Sequence, residues 1–285
     1  MKRGRGRRGA FASSAASAKQ ISTGPGGNHD GVVGLIGTEA QIGAVNPNCT
    51  AFSPATGPHS VLGLRPGMTL PQATSILRCQ FQGLRPAEDR DVWAHSFSGI
   101  RHVTQRSRKS FSVMVPGSGS GPPQELNVYL AGLYNQERVF AIRTEVTYAD
   151  GYQLPVETVL GTITQKYGPL IPEREDVYPV AVGLAPPNPF CLGLIGVSPL
   201  SLSNGMVNDL NMPWDRLGSC GTRLYVQLHQ REGLAERMQL MLVDFSILPG
   251  LHEQELAAAR QAAQQARDAE VRQAQENAKK GGPRL

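Results

Sequence analysis

The run of residues 64–77, Leu-Arg-Pro-Gly-Met-Thr-Leu-Pro-Gln-Ala-Thr-Ser-Ile-Leu, constrains the fold most, because it spells a tight turn followed by a helix start. Its Pro-Gly pair suits a turn, since proline fixes φ and glycine accepts positive φ. Thr69 is a helix-capping residue type, and Pro71 suits a first helical turn. The apolar residues that follow recur at helical spacing: Leu70, Ala73, Ile76 and Leu77. The run therefore predicts a folded domain with a helix over 70–79.

Composition bounds the size of the core. The 285-residue chain has room for one large or two modest domains, since domains usually span about 100 to 200 residues. Hydrophobic residues make up 40% and aromatic residues only 6% of the chain, beside 32 Gly and 21 Pro. A moderate core and a large share of loop are therefore expected. No apolar run reaches the ~18 residues of a membrane span, so none is predicted.

The positive charge is concentrated at the N-terminus. Six basic residues precede the first acid, Asp30, so the net charge of +5 leaves −1 for the rest of the chain. They are Lys2, Arg3, Arg5, Arg7, Arg8 and Lys19. A basic face on the folded part is not expected, and a nucleic-acid interaction would rest on this tail.

Residues 1–30 are of low complexity and are predicted to be a disordered basic tail or an export signal. Arg7 and Arg8 precede an Ala/Ser run that ends in a small-x-small pattern at 16–18, as in a signal. The serines interrupt the hydrophobic region that a signal needs. An Arg-Gly segment that binds RNA is a third interpretation.

The four cysteines, Cys49, Cys79, Cys191 and Cys220, include no metal-binding spacing, so zinc is not expected. They are either buried thiols of a cytosolic protein or two disulfides of an oxidising compartment. We favour disulfides, pairing Cys191 with Cys220 and Cys49 with Cys79, because each pair closes a local loop rich in Pro and Gly. This pairing is one of three connectivities.

Residues 31–170 are predicted to form a first α+β unit. Strands are expected at about 61–65, 92–97 and 111–115, with a hairpin of 125–131 and 138–148. Five alternate residues of the last strand are expected to share one face: Phe140, Ile142, Thr144, Val146 and Tyr148. A second helix is predicted over 154–167, ending at Gly168 and Pro169.

Residues 171–250 are predicted to form a second, loop-rich unit. A long excursion over 177–213 precedes a second hairpin of 222–229 and 237–247, which Pro249 and Gly250 would end. Trp214 is a candidate anchor for a protein partner, although a core role is the alternative.

Residues 251–285 are predicted to form an extended helix rich in Ala and Gln, because 252–280 lack Pro and Gly. Four alanines at helical spacing share a face: Ala259, Ala262, Ala266 and Ala269. A solvated helix is one interpretation. The other is a helix that binds a protein partner or self-associates as a coiled coil, because close Ala packing requires a companion.

No catalytic, cofactor or metal residues are predicted. His95, His102 and His229 are candidate catalytic groups, yet each suits a surface or packing role. The acidic residues near 88–91 lack the spacing of a metal loop. An enzyme is therefore not expected, although a hydrolase with an unrecognised site remains an alternative.

Gly67-Met68-Thr69, opening a helix that precedes antiparallel strands, resembles the helix-then-sheet units of the β-lactamase-inhibitor-protein and SmpA/OmlA small-lipoprotein families. Lys166-Tyr167-Gly168-Pro169 resembles a helix end in proteobacterial envelope proteins. The resemblance covers about residues 61–170 and implies a non-catalytic binder or assembly factor of the bacterial envelope. This chain lacks a lipobox cysteine near its start, so lipid anchoring does not carry over.

These observations predict an α+β fold: an antiparallel sheet with helices on one face, a disordered N-terminal tail and a long C-terminal helix. The expected function is a non-enzymatic, exported binding or assembly protein of the periplasm or envelope, acting through the 177–220 excursion and the C-terminal helix. A structural component of an intracellular or virion assembly is the other alternative, with a cytoplasmic location.

Overall fold

The computed structural model describes residues 54–81, 87–97, 100–115, 121–171, 177–180, 191 and 214–281. The elements, in chain order, are α1 (Leu70–Gln80), β1 (Ala87–Phe97), β2 (Ile100–Val115), β3 (Gln124–Ala131), β4 (Arg138–Thr147), β5 (Leu154–Pro155), α2 (Val156–Tyr167), β6 (Val177–Val180), α3 (Trp214–Gly218), β7 (Thr222–Arg231), β8 (Leu234–Asp244), a 3-10 turn (Phe245–Ile247) and α4 (Leu248–Gly281). The predicted α+β class, with an antiparallel sheet and a long C-terminal helix, is confirmed. The predicted disordered tail, 1–30, lies outside the described residues.

The turn that opens α1 forms as its sequence predicts. Thr69 caps the helix: its side chain accepts the Gln72 N–H, and the Gln72 side chain accepts the Thr69 N–H at 2.8 Å. This reciprocal pair satisfies two N–H groups that a helix start leaves unpaired. Pro71 lies in the first turn of the helix, where its missing N–H costs nothing.

The strand expected at 61–65 is instead a tight turn. Val61 and Leu64 exchange backbone hydrogen bonds of 2.9 Å across Leu62 and Gly63, which both have positive φ. Val61, Leu62 and Leu64 are nevertheless buried. The apolar residues are therefore part of the core, but the predicted strand is wrong because the chain reverses there before it can extend.

The strands form one antiparallel sheet in the order β1-β2-β3-β4-β8-β7-β6, with β5 pairing to β8. β4 and β8 lie side by side at its centre, so the segments predicted as two units share one sheet. Only 110–115 of β2 pair with β3, and the earlier part of β2 pairs with β1 alone. β1 and β2 therefore extend as a two-stranded ribbon past the end of β3.

The two halves of the sheet repeat one arrangement. In each, a helix precedes the three strands that end at the central pair: α1 with β2, β3 and β4, then α2 with β6, β7 and β8, while β1 lies outside this correspondence at the edge next to β2. The chain just before each helix also pairs with the start of the last strand in its half, Thr69 with Arg138 and Leu154 with Ala235. Strand order and direction therefore correspond to an approximate two-fold axis between β4 and β8.

The sheet has an apolar cluster on each face. α1 and α2 pack on the first face, against residues such as Ile142, Val146 and Leu242. The 3-10 turn, α3 and the start of α4 cover part of the second face, around Tyr129 and Phe140. Helical cover on this second face was not predicted from the sequence.

Phe140 lies on the second face, which contradicts the alternation predicted for its strand. Opposite Tyr129 and Leu130 the pairing moves from Ala141 to Val139, so β4 has a bulge at Phe140. A bulge adds one residue and reverses the alternation beyond it. Val139 consequently joins the first-face cluster and Phe140 the second.

Replacing Leu242 with Ala is expected to lower the free energy of unfolding by about 2–5 kcal/mol. Leu242 is 0% exposed, directly opposite Ile142 on one neighbouring strand and Leu224 on the other. Leu234→Ala on the same strand is the matched control, because Leu234 is 39% exposed, and a change of about 0.5 kcal/mol or less is expected. Denaturant unfolding followed by circular dichroism measures both, and equal small losses would contradict the central position of Leu242.

Candidate functional site

The most distinctive feature is the attachment of α4 to the second face. The helix begins at Leu248, three residues before the predicted start at 251, because Pro249 lies in its first turn, where proline is compatible with a helix. The buried residues of α4 are spaced three or four apart and all lie in its first half: Leu248, Leu251, His252, Glu255, Ala259 and Ala263. The helix is therefore docked on the body up to Ala263.

A disulfide forms part of the platform under α4. Cys191 and Cys220, both 1% exposed, are joined with a Cα–Cα distance of 5.6 Å. Both belong to the second-face cluster with Leu248 and Leu251, and the Tyr225 hydroxyl donates to the Cys191 carbonyl at 3.5 Å. Residue 191 is thus held against β7. This is the pairing that the loop composition favoured.

Only one cysteine of the other predicted disulfide lies within the described residues. Cys79 is disulfide-bonded, and Cys49, its predicted partner, lies outside the described residues. Among the described residues no cysteine is a free thiol. The described residues therefore contain no free thiol that could act as a nucleophile.

Trp214 anchors the helix from the side of α3. Its indole stacks on the His252 ring of α4, with ring centroids 4.2 Å apart and planes 21° from parallel. Trp214 also packs against the second-face cluster. The structure thus assigns Trp214 an intramolecular contact, the core role that was the alternative to partner binding.

Glu255 is the buried acid of the docked segment. It is 1% exposed, and its Oε1 accepts the N–H of Gly132 at 2.9 Å, in the turn between β3 and β4. Gly132 has φ of 111°, and a Cβ there would lie 3.3 Å from the Leu251 side chain, so α4 passes very close to this turn. Burial raises the pKa of Glu255 to about 8, although the Gly132 hydrogen bond and the charge of Lys109 oppose the shift.

Beyond Ala263 the helix leaves the body. Residues 264–281 are exposed at every position, and at 1.5 Å per residue they extend roughly 27 Å. Among the alanines predicted to bind a partner, Ala259 is buried within the chain, whereas Ala262, Ala266 and Ala269 are exposed. Ala259 is therefore occupied by the body and unavailable to a partner, and the other three are accessible.

The uncovered part of the second face carries a charged network. Glu145 on β4 forms ion pairs with Arg143 at 2.7 Å and with Arg237 of β8 at 2.6 Å, and accepts a hydrogen bond from Gln239 at 3.2 Å. Burial alone would raise the pKa of Glu145, but these hydrogen bonds and the two arginine charges hold it below its usual value. Such a polar face suits an antiparallel sheet that is solvated on one side.

Of the three histidines named as catalytic candidates, the register of the sheet pairs two with each other and leaves the third on another strand. His229 is exposed near the end of β7, and His95 and His102 are opposite each other in the β1–β2 ribbon. No group of three or more His, Cys, Asp or Glu residues suited to a metal ion occurs within the described residues. Of the helices in the same residues, none combines the length and apolarity needed to cross a membrane.

No family model, curated protein or solved structure matches the chain. The resemblance of 61–170 to the envelope families therefore stays a prediction, and the function must be argued from the geometry.

Sequence reasoning missed the buried base of α4, although a signal was present. Counting back from Ala259 in steps of three and four residues reaches Glu255, His252, Leu251 and Leu248. A charged residue within an otherwise buried stripe indicates a specific partner for that charge. The predicted alanine face instead runs forward from Ala259, onto the exposed half of the helix.

Replacing both Cys191 and Cys220 with Ser is expected to lower the free energy of unfolding by about 3–4 kcal/mol, because the bond closes a long loop in the unfolded chain. The bridged residues are 29 apart in sequence. Denaturant unfolding under oxidising conditions measures the loss. In the presence of reductant the two proteins should become equally stable, and unchanged stability under oxidising conditions would contradict the structural role of the bond.

Proposed function

We propose that the chain is a non-enzymatic, exported binding or assembly protein whose protein partner contacts the exposed half of α4. The observation that carries the proposal is the contrast within this helix. Up to Ala263 it is fixed to the body by buried groups, and over 264–281 it is exposed at every residue. The fold thus holds residues 264–281, called the arm below, as a helix at a defined position.

The spacing of the exposed alanines supports a partner on a particular face. Ala262, Ala266 and Ala269 continue the helical face that Glu255 and Ala259 bury on the body. Small side chains allow another backbone to approach closely. The face that packs on the body therefore continues, with small residues, beyond the point where the body ends.

The compartment is proposed from the disulfide. Disulfides persist in oxidising compartments such as the periplasm and are rare in reducing cytosol. Cys191–Cys220 lies in the apolar cluster on which α4 packs, so a bond of this kind belongs to the surface that holds the helix. An exported location in the periplasm or envelope is the proposal that this bond supports.

A photo-crosslinking amino acid at Ala266, expressed in the native host, is expected to capture a specific protein. Tyr152, 58% exposed and away from α4, is the matched control position and should give no such adduct. An adduct at twice the mass of the chain as recovered from the host would identify a second copy of the chain as the partner. Equal labelling at both positions, or none at Ala266, would contradict the proposed surface.

Truncation after residue 263 separates binding from folding in this experiment. Residues 264–281 are exposed at every position, so the truncated chain should keep its thermal unfolding temperature. It should at the same time lose the complex that the full chain is expected to form with its partner, as measured by sedimentation of extracts from the native host. If the truncated chain stays in the complex, the arm is not the contact.

Intact mass measured on protein from the native host tests the compartment. An exported chain is expected to lack roughly its first 18 residues and to have all four cysteines protected from alkylation until it is reduced. A full-length chain with four alkylated thiols would contradict export. It would favour an intracellular role and leave the arm surface to be judged by crosslinking.

A further inference from the structure

Glu255 lies at the base of the exposed arm, where a buried charge would weaken the docking of α4. It is on the docked half of α4, two turns before the helix leaves the body at Ala263. Its Oε1 is bonded to the Gly132 N–H, whereas its Oε2 is buried without a hydrogen-bond partner among the described residues. One hydrogen bond is poor compensation for a buried carboxylate.

The groups around Glu255 only partly offset a negative charge. From β2, Lys109 is 3% exposed and its charge acts on Glu255. From the turn after β3, Glu137 is 2% exposed and accepts the Arg108 N–H at 3.1 Å, and its Cα lies beside Gly132, which donates to Glu255. His252 precedes Glu255 by one helical turn.

Two other elements pass α4. The backbone of β1 does so, and its sequence contains Glu88, Asp89 and Asp91 beside Arg90. α3 contributes Trp214, which stacks on His252, and the exposed Arg216. Among the described side chains, the charge of Lys109 acts on Glu255.

We propose that a proton on the Glu255 carboxyl latches α4 to the body, so that ionisation of Glu255 loosens the docked half and releases the base of the arm. The neutral carboxyl keeps its hydrogen bond to Gly132 without placing a charge under the helix. The ionised carboxyl retains that bond but must be buried as an anion. The latch concerns the docking of α4 and holds whether or not the exposed half binds a protein.

The direction of the pH dependence follows from linkage. In the docked state the pKa of Glu255 is raised from 4.5 to about 8 by burial, and on release into water it returns to its ordinary value. The docked state therefore holds an extra proton between about pH 4.5 and 8. Docking is strongest below this window, weakens by up to about tenfold per pH unit through it, and changes little above it.

Hydrogen exchange measured by mass spectrometry on peptides covering 252–263 tests the latch. Between pH 6 and 8, protection corrected for intrinsic rates should fall by up to about tenfold per pH unit in the wild type. Glu255→Gln keeps an oxygen acceptor for the Gly132 N–H but cannot ionise, so its protection should not vary with pH. Glu253→Gln, at an exposed position of the same helix, is the matched control and should behave as wild type.

Two results would overturn the latch. Protection that is constant with pH in the wild type would mean that docking does not depend on protonation of Glu255, and protection that rises with pH would mean that ionised Glu255 holds the helix through Lys109. In that case Lys109→Met should undock α4 even at pH 6, whereas the latch predicts that this variant stays docked at pH 6. Peptides from β4 and β8 serve as an internal reference: a pH dependence equal to theirs would reflect global unfolding and would also overturn the proposal.

Discussion

The pairing of β4 with β8 is the interaction on which the rest of the structure depends. Each strand is the last of its half, and seven residue pairs, from Ala141 with Val243 to Thr147 with Arg237, join them. Their register decides which side chains face α1 and α2 and which face α4. Because side chains alternate along a strand, a slip of one residue would exchange the two sets. The two cores and the charged face therefore form together or not at all.

The two faces of this central pair carry different side chains: one is apolar and covered by helices, and the other is largely charged. Ile142 and Leu242 are fully buried under the first-face helices, whereas Arg143 and Glu145 lie on the other face. At the end of the sheet nearer α3, the bulge at Phe140 places a large aromatic side chain on the second face. There it provides apolar surface beneath the start of α4, while the rest of that face stays charged and open. The bulge thus separates a docking area from a solvated area on one surface.

The parts of the fold that sequence could predict depend on local chemistry. The cap at Thr69, the proline of the first turn and the two hairpins all follow from residues close together in the chain. The parts that were missed depend on distant partners. The displacement of Phe140 requires knowledge of how β3 and β4 align, and the turn at 61–64 replaces a strand because Leu62 and Gly63 adopt positive φ. For the candidate site, the disulfide could be proposed from loop composition, whereas the environment of Glu255 arises from Gly132, 123 residues away.

The docked half of α4 determines more than the position of the arm. Starting a helix is unfavourable because several residues must be ordered before the first hydrogen bond forms, and isolated helices of modest length are marginal in water. Residues 264–281, which are exposed at every position, would face that cost alone. They avoid it because they continue a helix whose first turns are already fixed by Trp214, the disulfide platform and Glu255. Any change that loosens the base therefore removes both the direction and part of the helicity of the exposed half. The conformation that a partner would recognise is controlled by buried groups that the partner does not touch.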